Sequence, residues 1–143
     1  MVKIMIVPRI KIILLAAGVV IAAGIIAVLL YLFLPRWSLT VYDQPLGTAL
    51  HIEDVRLFRP GFVVPHEADI YGRPALRLPA IPLALPAGAY RNVNVLFDPD
   101  EEALPGDVVV VVYEDNGDGQ FDQQDSPARL LSGEIVQRKI RLE

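Results

Sequence analysis

The chain has 143 residues and no cysteine, which excludes disulfides, thiolate metal sites, iron–sulfur clusters and haem attached through Cys. Hydrophobic residues make up 53%, concentrated at the front, while all 17 acidic residues lie after Pro35. Nine bases accompany them between Trp37 and Glu143, a net charge of −8. Such a surface repels phosphate backbones, so nucleic acid is not an expected partner, and a cation-rich partner or metal ions would suit it better.

The first element is an apolar run from Ile12 to Leu34, 23 residues without a charge. As a helix it spans roughly 34 Å, enough for a hydrocarbon layer of about 30 Å. No polar face interrupts it, as one would in a soluble core helix. Tyr31, Phe33 and Trp37 gather at its far end like an interfacial belt, and Pro35 closes it. Lys3, Arg9 and Lys11 precede the run, and only Arg36 follows it closely. The positive side stays in the cytoplasm, so residues 1–11 are expected inside and residues 37–143 outside, with residues 12–34 in the bilayer of the cell membrane. Ile21-Ala22-Ala23 resembles a signal cleavage site, but eleven apolar residues continue beyond it. That length favours an uncleaved, single-pass anchor. Gly18/Ala22 and Ala23/Ala27 have the small-xxx-small spacing through which two such helices can form a homodimer.

After Trp37 the signals are those of strands. Ser38–Tyr42 is short and β-prone. Thr48–Phe58 carries Leu50, Ile52, Val55 and Leu57, with the alternation broken at Asp54, where a bulge is expected. Phe62–Val64 follows a Pro60-Gly61 turn, and Pro65 is expected to confine that strand to an edge or a bend. Four prolines between Pro74 and Pro86 forbid a helix, leaving two short edge segments within Ala75–Leu85. Pro86-Ala87-Gly88 reads as a turn, Val93, Val95 and Phe97 as a half-buried strand, and Asp98–Gly106 as an acidic loop. Val108–Tyr113 is continuously apolar, as expected of a central strand covered on both faces. In Glu134–Leu142, Val136, Ile140 and Leu142 share one face and Gln137, Lys139 and Arg141 the other. About seven short strands separated by turns predict an all-β domain, an immunoglobulin-like β-sandwich behind a single transmembrane helix.

The stretch between the last two strands carries the sharpest chemical signal. Read as a calcium loop, Glu114, Asn116 and Asp118 take positions one, three and five, and Gly119 the sharp turn. Gln120 then offers its carbonyl, with Asp122 ninth and Asp125 twelfth. Calcium takes six to eight oxygens, which closely spaced carboxylates supply. Against this, the first position is Glu, the last is the short Asp, and strands flank the loop. Asn-Gly and Asp-Gly are also common hairpin turn signals, so a plain solvated acidic turn competes with the ion site.

The order of these motifs carries a resemblance. Tyr42-Asp43-Gln44 precedes a strand, then come Pro60-Gly61-Phe62-Val63-Val64-Pro65-His66 and Leu85-Pro86-Ala87-Gly88 with Val93-Asn94-Val95. Val112-Tyr113-Glu114-Asp115-Asn116-Gly117-Asp118-Gly119-Gln120-Phe121-Asp122 and Asp125-Ser126-Pro127 complete the series. Over residues 39–130 the chain resembles an uncharacterised extracellular β-sandwich domain of secreted and membrane-anchored proteins of haloarchaea and bacteria. The resemblance implies a β-sandwich at the cell surface and no known activity. Tyr113 departs from it, since many members carry His there, and Pro65 replaces an aliphatic residue.

Other chemistry is thin. With no Cys, and no Met after Trp37, a blue-copper site is excluded. Zinc would need His51 and His66, which lie on different predicted strands, together with Glu67 or Asp69. Ser38, Ser126 and Ser132 lie outside any Gly-x-Ser-x-Gly elbow. No enzyme is expected. The sequence predicts a membrane-anchored, cell-surface binding or structural module with an unidentified extracytoplasmic partner, with a calcium-stabilised module and a metal-dependent enzyme as alternatives.

Overall fold

The computed structural model describes residues 7–34, 36–102 and 105–143. The basic residue Lys3 and most of the expected cytoplasmic segment lie outside them. The chain divides into two compact units, Met1–Leu34 and Pro35–Glu143. In the first, α1 (Val7–Phe33) begins five residues earlier than the uncharged run, taking in Arg9 and Lys11. Pro8 falls in the first turn, where a missing N–H costs nothing. Arg9–Phe33 is long and apolar enough to cross a membrane, and none of it is buried.

The second unit is all-β. A three-stranded sheet has the order β1 (Ser38–Thr40), β2 (Ala49–Leu57), β6 (Gly88–Leu96). A larger sheet centres on β3 (Gly61–Ala68) and β7 (Gly106–Glu114). β4 (Pro74–Arg77) and β5 (Leu83–Leu85) both pair with β3, while β8 (Ser126–Pro127) and β9 (Gln137–Leu142) both pair with β7. Each of these named pairings is antiparallel. Leu50, Ile52, Val55 and Val95 of the smaller sheet pack in one core with Val63, Val108, Val110, Val112, Ile140 and Leu142 of the larger.

Continuous apolar sequence in β7 matches its position. Val108 to Val112 are each at most 2% exposed, because strands flank β7 on both sides and both faces are covered. The expected bulge at Asp54 is absent. The register of β2 on β6 is the same before and after the break, Ile52↔Val93 and Asp54↔Arg91. Instead both strands change faces at one level. Leu50 and Ile52 are buried on one side of Glu53, Val55 and Leu57 on the other, and Asn92 opposite it adopts φ 52°. Asn tolerates this left-handed conformation better than most residues. Two matched irregularities therefore restore burial without slipping the register.

Pro65 also departs from expectation, sitting in mid-strand opposite Val110 rather than at an edge. On its other side the partner strand is interrupted, since β5 ends opposite Val63 and β4 reaches His66. Only the Pro65 carbonyl is used there, accepting from Leu78 N–H at 3.0 Å. A residue without an N–H fits that gap.

Candidate functional site

β7 and β8 frame the acidic loop. Asp115 N–H donates to Pro60 O at 3.0 Å, tying the loop to the turn before β3. The loop then folds on its own carboxylates. Asp115 Oδ1 accepts from Gly117 N–H at 3.1 Å and, with Oδ2, from Gly119 N–H at 3.2 and 3.1 Å. Asp118 Oδ1 accepts from Gln120 N–H at 2.8 Å, and Asn116 Oδ1 from Asp118 N–H at 3.1 Å. Asp125, 7% exposed, accepts from Asn116 N–H at 2.9 Å and Asp122 N–H at 2.8 Å. Gly117 (φ 107°) and Gly119 (φ 74°) supply the left-handed turns such a loop needs.

Carboxylate oxygens of Asp115, Asp118 and Asp125 lie within 4.8 Å of one another. Of the six expected ligands, Asp118 and Asp125 thus converge, and Glu114 and Asp122 lie outside this group. Glu114 is still within β7, paired with Gly61 and Ser126, so the loop starts one residue later than the calcium register assumes. Asp115, which sequence spacing passed over, takes its place. Counting positions from the end of the strand would have found it.

A second cluster lies on the face of the larger sheet opposite the main core. His66 Nδ1 is 3.2 Å from Ala75 O, and Tyr113 Oη is 2.9 Å from His66 Nε2. A carbonyl can only accept, so Nδ1 carries the proton and Nε2 accepts from the phenol. Burial, opposed by the Ala75 bond and aided by the Arg77 charge, lowers the His66 pKa. Burial raises that of Tyr113. Phe121 reaches back from the acidic loop to meet Tyr113 edge-on at 4.9 Å and Phe62 at 5.6 Å, with the Arg77 guanidinium 5.7 Å from its ring centre.

Among the described residues, those a zinc site would draw on are not brought together. His51 is on β2 of the smaller sheet, exposed, with Nδ1 3.0 Å from Asn94 Oδ1. His66 is buried in the larger sheet with both ring nitrogens engaged. Asp69 is occupied with its own loop, accepting from Tyr71 and Arg73 N–H and pairing with Arg73 Nε at 2.9 Å.

Residues 37–142 match the family model described as a domain of unknown function (DUF7282), and the chain belongs to that family. No curated protein and no solved structure matches it.

Proposed function

We propose that this protein is a single-pass, membrane-anchored module whose immunoglobulin-like β domain stands on the extracytoplasmic side and binds a partner or serves a structural role, without catalysis. One observation carries the reading. The 25-residue stretch Arg9–Phe33 of α1 leaves its apolar surface unburied, while the β domain has a core of its own. Leaving that surface in water is costly, and a bilayer removes the cost. Arg9 and Lys11 at its start orient it with the N-terminus inside. Carbonate extraction of membranes with intact-mass measurement tests the anchor. The full chain should stay in the pellet at its uncleaved mass; a soluble product lacking the helix would show a signal peptide instead.

In the calcium-stabilised alternative, an ion at Asp115, Asp118 and Asp125 orders the loop. The bonding favours a self-capped acidic turn, because five backbone N–H groups already stabilise these carboxylates. Thermal melting of the full chain in detergent, with calcium or chelator, separates the two. An ion at a hundred times its dissociation constant adds about 2.7 kcal/mol, or roughly 10 °C. The self-capped turn predicts no such shift. A rise of that size, lost in Asp118→Ala, would establish the ion site.

A further inference from the structure

The sequence holds three asparagines, Asn92, Asn94 and Asn116, and their surroundings differ. Asn92 and Asn94 lie within β6, each followed by a valine whose branched side chain crowds the next peptide nitrogen. Asn94 Oδ1 is also held 3.0 Å from His51 Nδ1. Asn116 is exposed in the acidic loop and is followed by Gly117. Beyond its chain neighbours, no atom comes within 4 Å of where a Cβ on Gly117 would lie, so nothing crowds that peptide nitrogen.

The bonding of the loop arranges the groups around Asn116. Its Oδ1 accepts from Asp118 N–H at 3.1 Å. That bond folds the side chain forward along the chain and closes a small ring containing both Asn116 Cγ and Gly117 N. Gly117 N–H donates in turn to Asp115 Oδ1 at 3.1 Å. A peptide nitrogen attacks through the orbital perpendicular to its plane, so a bond from its in-plane hydrogen to a carboxylate leaves the attacking face free. Asn116 N–H is tied to Asp125 Oδ1 at 2.9 Å, which holds the residue in place. Among the described residues, Asn116 Nδ2 has no hydrogen-bond partner, so nothing retains it as a leaving group.

We propose that Asn116 is a site of spontaneous deamidation, at which Gly117 N attacks the side-chain amide and the Asp115 carboxylate takes the proton. A bond forms between Gly117 N and Asn116 Cγ while the hydrogen of Gly117 N passes to Asp115. The negative charge that develops on Asn116 Oδ1 meets the Asp118 N–H, a donor already in position. The Cγ–Nδ2 bond then breaks, Nδ2 takes the proton from Asp115 and leaves as ammonia, and a cyclic succinimide remains. Water adds to either succinimide carbonyl and opens the ring to aspartate or to isoaspartate. The balance is one water consumed and one ammonia released, with no oxidant or reductant. The product places a new negative charge in the loop where carboxylate oxygens of Asp115, Asp118 and Asp125 lie within 4.8 Å of one another. In the isoaspartate form the main chain gains a methylene between two of the bonds that cap the loop, Asn116 N–H to Asp125 and Gly117 N–H to Asp115. Deamidation thus both charges and loosens the loop, whichever partner the domain serves.

The full chain in detergent is held at a series of neutral to mildly alkaline pH values for days to weeks, and peptide mapping by mass spectrometry follows each asparagine. Asn116 should convert to an aspartate–isoaspartate pair that takes up one oxygen from isotopically labelled water, while Asn92 and Asn94 stay intact. Asp115→Asn keeps an acceptor for Gly117 N–H but removes the base. Its conversion at Asn116 should be slower by at least about threefold at neutral pH and should rise more steeply with pH, because only hydroxide then takes the proton. Glu134→Gln, a carboxylate removed elsewhere on the domain, should leave the rate and the profile unchanged. Circular dichroism checks that both variants fold, and the conversion map of the unaltered chain decides the matter without them. An intact Asn116 under conditions that convert a free peptide of the same loop sequence would overturn the proposal. So would equal conversion at Asn92 and Asn94, or an unchanged rate and pH profile in Asp115→Asn.

Discussion

His66 shows how single residues tune this domain. Its ring is neutral, with Nδ1–H on Ala75 O and Nε2 facing the Tyr113 hydroxyl. Burial holds its pKa below the usual 6.5. The unfolded chain therefore binds a proton before the folded one does, so stability is full above about pH 6.5 and falls as pH drops toward the folded value. Melting between neutral and mildly acidic pH should show that decline, and His66→Gln should flatten it. The same pair marks a limit of sequence reading. Tyr113 stood out only as a departure from the histidine many members carry, whereas its hydroxyl bonds the His66 ring. No local pattern reveals a bond between residues 47 apart. Gly61 makes a comparable point about the backbone. A Cβ there would collide with the carbonyl oxygen of Tyr113 on the neighbouring strand. Gly61→Ala should cost about 1–3 kcal/mol and lower the melting temperature by several degrees.

At the scale of elements, legibility follows burial. β7 was plain in the sequence because five consecutive valines can only be a strand covered on both faces. β9 was plain because Ile140 and Leu142, with Val136 just before the strand, lie on one face and Gln137, Lys139 and Arg141 on the other. Less legible was anything that depends on a partner strand. The break at Asp54 suggested a bulge because one strand was read alone. The partner strand breaks at the same level through Asn92, and the register is kept. Pro65 suggested an edge because the interruption between β5 and β4 lies elsewhere in the sequence. The acidic loop lies where the sequence placed it, but Glu114 stays paired in the ladder, and Asp115 is the residue that comes close to Asp118 and Asp125. Core membership gives a direct test of the element assignments. Ile52→Ala, at a fully buried β2 position, should lose about 2–5 kcal/mol, whereas Leu131→Ala, 91% exposed in the turn before β9, should change stability by less than about 0.5 kcal/mol. Urea unfolding of the two variants distinguishes them.

For the whole molecule, the chain divides into two units of different character. The helix has no polar face and none of it is buried, while the β unit encloses a core drawn from both of its sheets. Sequence made this division clear, since the apolar run and the acidic residues do not overlap. It also indicated a family of unknown function, and the family match over residues 37–142 agrees with that. What the linear sequence did not show was the parallel pairing of Gln44 with Leu142, which exists only once residues about a hundred positions apart are brought side by side.

In the proposed arrangement the helix anchors the chain and leaves the β domain outside. Because the chain has no cysteine, one can be placed at will. Ser132→Cys, on an exposed turn of the domain, and Met5→Cys, which precedes Arg9 and Lys11 in the sequence and removes no charge, are each labelled in intact cells with a membrane-impermeant maleimide. The cysteine at position 132 should react in intact cells, and the one at position 5 only after lysis. Protection of position 132 with reaction at position 5 would overturn the orientation, and reaction of neither before lysis would overturn surface placement altogether.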